Sequence, residues 1–263
     1  MPIVHGAGYG PYTDIKQQHF NAFLTMHTRA VGAILGRWGS ITYPRFVYVD
    51  LNAGPGILDD GEHRWDGSPL LFLDAAYRAG VKFDAFFHER NREAMAKLAA
   101  TLREQSADGD RCTLLFGDNA ETVKTVVDHL GKIHKRVHGL VYADPNGGAL
   151  PIQAMRRIAA VARKIDFLVY ASAAGNKRIG RPMIDDLRSV GRKHLLVREP
   201  LGQHQWTFVI MTDWADFPVL KAQSFHNIAS PEGAAIAERL NWSTRERVQR
   251  HITSWIDDMA GTP

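Results

Sequence analysis

The stretch Val47-Tyr48-Val49-Asp50-Leu51-Asn52-Ala53-Gly54-Pro55-Gly56 decides the fold class of this chain. The apolar run Phe46-Val47-Tyr48-Val49 predicts a strand buried on both faces, because no polar alternation marks a solvent side. The strand ends in an acid and passes into a turn of small residues, where backbone can approach a ligand closely. Taken alone, Gly54-Pro55-Gly56 fits a ligand-binding turn or a plain strand-to-helix turn equally well, since a chain with 23 glycines contains chance Gly-x-Gly matches.

Similar runs recur on the C-terminal side. Phe83 to Phe87 ends at His88-Glu89, Cys112 to Phe116 at Gly117-Asp118, and Leu140-Val141-Tyr142 near Asp144, with Phe167 to Tyr170 as a fifth run. Helical patterns lie between them. Met95, Leu98, Ala99 and Leu102 share a face of 93–104 behind a candidate N-cap at Asn91, and Val123, Val126, Val127 and Leu130 share a face of 121–130. A third pattern, 152–162, follows Pro151, which suits a first helical turn. Alternation of this kind predicts βαβ units and a parallel sheet. Lys193–Arg198 and Trp206–Met211 are separated only by 199–205, too short for a parallel crossover, so they predict an antiparallel pair.

The expectation is therefore a Rossmann-like α/β fold, a mostly parallel sheet with one antiparallel strand and helices on both faces. One domain is expected: a helical extension within 1–45 (apolar face Phe20, Phe23, Leu24, Val31, Ile34), an α/β core over 46–211, and a helical tail over 212–263. In the tail, 231–240 and 243–259 look helical, with Trp242 and Trp255 as packing anchors.

With 263 residues, 45% apolar and 23% charged, the composition excludes disorder and collagen-like repetition. A single cysteine, Cys112, excludes an internal disulfide and a cysteine-based zinc site, and fits a reducing compartment. No apolar run approaches the ~20 residues that span a bilayer, and Met1 to Tyr12 lacks a signal-peptide pattern. A cytoplasmic protein without membrane contact is expected.

Four successive strands each end in an acid: Asp50, Glu89, Asp118 and Asp144. In open α/β sheets that edge is where ligands bind. Glu89 offers two acceptor oxygens, enough for both hydroxyls of a ribose. It lies 33 residues beyond Gly56, against the usual ~20, and the excess falls in 57–68, a polar segment that predicts an inserted loop. Asp118 suits an adenine amino group beside Asn119, and it equally suits an ordinary N-cap. Asp144-Pro145-Asn146-Gly147 sets a carboxylate at the edge, and it would also make a plain turn. Other groups carry less. His129, His134 and His138 cluster without a carboxylate trio, so no metal site is expected. Cys112 is expected in the core. Lys16 and His19 could cover the site, although an exposed helix face is the expectation for both.

In this order the motifs resemble class I S-adenosylmethionine-dependent methyltransferases, whose seven-stranded sheet also ends in an antiparallel strand. More narrowly, the chain resembles the three-Cys-motif partner family of methyltransferase-like proteins. That likeness rests on Tyr48 to Gly56, Gly67-Ser68-Pro69-Leu70, Phe87-His88-Glu89-Arg90-Asn91, Gly117-Asp118 and Ala143-Asp144-Pro145-Asn146-Gly147. The resemblance implies an S-adenosylmethionine site in which Asp50, Asn52, Ala53, Gly54 and Gly56 line the methionine end. It puts Glu89, with Arg90 beside it, at the ribose, and Asp118 and Asn119 at the adenine. Asp144, with Pro145 and Asn146, would lie near the transferred methyl and orient or deprotonate the acceptor. Two positions depart from the pattern. Asn52 stands where many methyltransferases have the first glycine. The Asp144 loop also lacks the aromatic that stacks on a flipped base in Asp-Pro-Pro-Tyr type DNA enzymes.

The net charge is only +4, but it is unevenly placed. From Arg156 to Arg198 there are eleven basic residues against three acidic ones, which leaves the rest of the chain acidic. Asn176, Lys177, Arg178 and Arg181 follow the fifth strand, at the ligand edge, and could contact phosphates. The expected function is methyl transfer to a nucleic acid or nucleotide-containing acceptor. The alternative is a non-catalytic module that assembles with a partner protein. A nicotinamide-dependent oxidoreductase fits less well, because of the antiparallel strand and the Asp144 loop. As a chain with one cysteine, this would be the methyltransferase-like half of any such pairing.

Overall fold

Strand β1 (Phe46–Asp50) is completely buried and lies inside the sheet, with neighbours on both sides. In this computed structural model the described residues are 13–59, 61–105, 111–133, 136–145, 149–172, 183–200, 206–214 and 218–241. Strand β1 pairs in parallel with β4 (Phe83–Glu89) on one side and β6 (Gly139–Ala143) on the other. Strand β5 (Arg111–Phe116) extends the sheet beyond β4, and β7 (Ile165–Ser172) extends it beyond β6, both in parallel. The predicted antiparallel pair is present as β8 (His194–Arg198) and β9 (Trp206–Thr212). Strand β9 inserts between β7 and β8 and runs against both.

The sheet has eight strands, not seven. The additional strand, β10 (Phe225–Asn227), pairs antiparallel with the outer side of β8, so two strands oppose the parallel set. Three residues are too few to show a period in sequence, and this strand exists because β8 offers an unpaired edge. The segment 57–68 also differs from an irregular loop. Ile57–Asp59 (β2) and Arg64–Asp66 (β3) form a separate antiparallel hairpin. Strand β5 is a sheet edge, and both Cys112 and Phe116 are exposed, so the only cysteine is not a core residue.

Two layers of helix cover the sheet. On one face lie α1 (Thr13–Trp38), α2 (Ser68–Arg78), α3 (Arg92–Gln105) and the short α7 (Pro218–Ala222). On the other lie α4 (Asn119–Lys132), α5 (Ile152–Val161), α6 (Met183–Arg188) and α8 (Pro231–Asn241). Local chemistry sets their starts. Asn91 Oδ1 accepts from Ala94 N at 3.0 Å, and Asp118 Oδ1 accepts from Ala120 N at 2.8 Å. Phe20, Phe23 and Leu24 bury α1 against the sheet, with Phe20 stacked on Tyr142 at 4.1 Å. Among the described residues no helix is long and apolar enough to cross a membrane. Trp242, Trp255 and the helix expected over 243–259 lie outside the described residues.

Candidate functional site

The parallel strands bring Asp50, Glu89, Asp118 and Asp144 to one edge of the sheet, each at or just past the C-terminal end of its strand. The turn after β1 is shaped by two left-handed glycines, Gly54 (φ +66) and Gly56 (φ +82), where L side chains are strained. A Cβ on Gly56 would sit 2.9 Å from Leu98 Cδ1 of α3, and one on Gly67 would sit 2.8 Å from the Gly56 carbonyl oxygen. Gly67 N donates to that same oxygen at 2.6 Å. The hairpin β2–β3 therefore leaves and returns at one point, pinched between two glycines. This pinch delivers Ser68, at the start of α2, to the carboxyl of Asp50. The Gly67-Ser68-Pro69-Leu70 element thus has a local physical role.

Asp50 is wholly buried. Burial pushes its carboxyl up to about 7 and outweighs the lowering effect of hydrogen bonds from Ser68, Asn52 N and Tyr48, while the charge of Asp144 adds to the rise. Asn52 N donates to Oδ1 at 3.0 Å and Tyr48 Oη to Oδ2 at 3.3 Å. Glu89 ties two turns together: Gly54 N donates to Oε2 at 2.9 Å and Asn91 N donates to Oε1 at 2.6 Å. Each of its oxygens keeps one lone pair for a ligand. Ala53 N donates to the His88 carbonyl at 2.9 Å, and Asn119 Nδ2 donates to the Leu51 carbonyl at 3.4 Å, so the β1 turn is held from both sides. Asp118 is exposed and serves as the N-cap of α4; Arg90 is exposed beside Glu89.

Asp144 is buried, and α1 supplies part of its surroundings. Lys16 of α1 donates to Oδ2 at 2.8 Å, and Tyr142 Oη donates to the same oxygen at 3.3 Å. Among the described residues Oδ1 is buried without a hydrogen-bond partner. Asn52 Oδ1, at the same edge, is likewise buried and without a partner among the described residues. Lys16 is thus part of the site rather than of a solvated helix face: its ammonium sits 4.9 Å over the ring of Tyr170, at the end of β7. Burial, then the charge of Asp144, raises the Tyr170 hydroxyl above its ordinary value, and Tyr142 is raised by the same two causes. His19, one turn after Lys16, meets Arg198 at 3.0 Å and is not a solvated position either. In sequence the signal was the i, i+3 placement of Lys16 and His19 beside the apolar Phe20 and Phe23. What it lacked was any indication of where α1 docks.

The hairpin closes over the same end of α1, where Trp65 Nε1 donates to Asp14 Oδ1. Pro145 is half-buried next to Asp144. Asn146, Asn176, Lys177, Arg178 and Arg181 lie outside the described residues. Of the histidine cluster, His129 contacts Asp84 at 3.2 Å near the opposite edge, His138 is buried, and His134 is outside the described residues. Among the described residues no group of His, Cys, Asp and Glu could hold a metal ion.

The edge therefore presents an acidic half built from Asp50, Asn52 and Glu89, with Asp144 at its border. Partnerless buried acceptors in such a place suit a ligand that carries positive charge and several hydrogen-bond donors. No family model and no curated protein matches the chain. Among solved structures it is similar to protein LPL1258 of Legionella pneumophila (11% identity, 73% of this chain and 85% of that one, TM-score 0.46). It is also similar to a Streptococcus mutans protein in complex with SAH (13%, 75% and 96%, TM-score 0.44). A third is an rRNA methylase from Streptococcus thermophilus (10%, 78% and 98%, TM-score 0.43). All three TM-scores are low, so the reading of the site rests on its own geometry.

Proposed function

We propose that this protein is an S-adenosylmethionine-dependent methyltransferase with a class I fold. The observation that carries the reading is the pair of buried acceptors without a partner among the described residues, Asn52 Oδ1 and Asp144 Oδ1, beside the buried Asp50 carboxyl. S-adenosylmethionine carries an ammonium, a sulfonium and a ribose diol. Asp50, Asn52 and the Gly54–Gly56 turn would hold the cationic methionine end, with Ala53 packed behind them. Glu89 would take the ribose through its remaining lone pairs. Asp118, Asn119 and Arg90 would border the adenine. The bound cofactor supplies an electrophilic methyl group; the chain's task is alignment. Asp144 Oδ1 would accept a hydrogen bond from the acceptor's N–H or O–H and hold its lone pair toward the methyl. Lys16 and Tyr142 would keep the carboxylate in place, with Pro145 and Asn146 completing the loop.

The acceptor we propose is a nucleic acid or a nucleotide-containing molecule. The support is the local excess of cations from Arg156 to Arg198, with Asn176, Lys177, Arg178 and Arg181 following the end of β7. A second reading is favoured by one observation. Lys16 and Tyr142 both donate to Asp144 Oδ2, an arrangement that also serves as a purely structural anchor for α1, so the Lys16–Asp144 pair also suits a non-catalytic module of the three-Cys-motif partner type, working with a partner protein.

Calorimetry with S-adenosylmethionine, S-adenosylhomocysteine and NAD tests the cofactor. Micromolar binding of the first two is expected, and no binding would refute the reading. Transfer of labelled methyl to DNA, RNA and nucleotide pools then tests catalysis. An Asp144→Ala variant should lose transfer while retaining S-adenosylhomocysteine. Binding without transfer to any pool would leave the module.

A further inference from the structure

A buried charge is normally accompanied by its opposite, because an unpaired ion loses its hydration without recompense. Arg198 breaks this rule. It is 8% exposed at the end of β8, yet no ion pair reaches it among the described residues. Its Nη1 donates to the Glu199 carbonyl at 3.4 Å, its Nη2 meets His19 Nδ1 at 3.0 Å, and its Nε is buried without a partner among the described residues. Burial and the charge of Arg198 hold His19 toward the neutral form, which fits Nδ1 as the acceptor of that bond. The Glu199 carboxylate acts on the guanidinium through space. Beyond Glu199 the loop 200–205 contains no aspartate or glutamate, and neither does 173–182 after β7.

The position is as telling as the charge. Strand β8 runs parallel to β7, since both oppose β9, so Arg198 lies at the same edge as Asp144. The strand order β6, β7, β9, β8 separates them by three strand spacings, about 14 Å between backbones. Between them, on β7 and β9, lie Tyr170 and Trp206, 5.5 Å apart. Lys16 and His19, three residues apart on α1, bridge to the two ends of this strip.

We propose that Arg198 is the anchor for an oxyanion on the methyl acceptor, a carboxylate or a phosphate, bound through Nε across the Tyr170–Trp206 strip from Asp144. A guanidinium matches either anion with paired N–H donors. The assignment of that anion to an acceptor rests on the methyltransferase reading; the anion site itself does not.

The test is thermal unfolding of the full chain in chloride, acetate or inorganic phosphate at equal ionic strength. Acetate or phosphate should raise the wild-type midpoint above that in chloride, and which of them does so names the anion. Arg198→Met should melt at or above the wild-type midpoint in chloride, because it removes a buried charge that has no ion pair among the described residues, and it should lose the anion response. Should Arg198→Met fail to fold, the arginine 15Nε signal that disappears in Arg198→Lys reports the same titration in the wild-type protein. A wild-type midpoint and Arg198 signal that ignore both anions, or an Arg198→Met variant that keeps the response, would overturn the proposal. Calorimetry of the wild-type protein with S-adenosylhomocysteine separates the two ideas. Cofactor binding without an anion response removes the anchor alone; the converse removes the cofactor reading alone.

Discussion

Asp50 carries the most consequential charge at the scale of single residues. Its folded value near 7 lies above the ordinary 3.8. Between about pH 4 and 7 the folded protein keeps a proton that the unfolded chain has released, so stability from this group falls as pH rises through that window. Asp50→Asn removes the dependence. Its unfolding free energy relative to wild type should climb from pH 4 to pH 7 by on the order of a few kcal/mol, as read by urea titrations at several pH values. A cationic ligand favours the carboxylate, so S-adenosylmethionine binding near pH 7 should release a fraction of a proton. Calorimetry in buffers of different ionisation enthalpy reads this, and equal heats in all buffers would contradict it. Lys16 is the second such residue. Lys16→Met strands the buried Asp144 carboxylate and should cost about 1–3 kcal/mol. Adding Asp144→Asn should recover much of that loss, a coupling that a double-mutant cycle measures.

At the scale of elements, the glycine pinch and the docking of α1 hold the site in shape. Gly67→Ala puts a Cβ 2.8 Å from the Gly56 carbonyl, and backbone has to move. A loss of about 1–3 kcal/mol is expected, together with weaker S-adenosylhomocysteine binding, since the pinch sets Ser68 against Asp50. Phe20 anchors α1 one turn from Lys16. Phe20→Ala should cost about 3–5 kcal/mol and raise amide exchange over the first turns of α1, because the Tyr142 stack at 4.1 Å is lost. The hairpin β2–β3 shows how far local sequence could be read. Its place in the chain was legible from polar, Gly-rich composition. Its strands were not, because three-residue strands carry too little periodicity.

At the scale of the whole molecule, the two ends of the parallel strands hold buried carboxyls shifted in opposite directions, Asp50 raised and Asp84 lowered. Asp84, near the β4 start, opposes the ligand edge. Burial works to raise its carboxyl, but His129, Tyr43 and Arg45 together pull it down to about 2. Its stabilisation is complete above about pH 4, the ordinary carboxylate value, and is lost as pH falls toward 2. Asp84→Asn should therefore destabilise the protein at neutral pH and flatten the acid limb between about pH 4 and 2, seen in acid titrations followed by circular dichroism.

The places of strands β1 and β4 to β9 along the chain, the glycine turn and the row Asp50, Glu89, Asp118 and Asp144 were determined by the sequence alone. Those features follow from local periodicity and from the rule that parallel strands end at one edge. Strand β10, the exposed edge at Cys112 and Phe116, the Lys16–Asp144 pair and the burial of Arg198 beside His19 were decided only by tertiary structure. Lys16 and Asp144 are 128 residues apart, and His19 and Arg198 are 179. No local pattern encodes such a meeting. It arises because the apolar face of α1 has one place on the sheet to bury, and the polar residues on its margin are carried there with it.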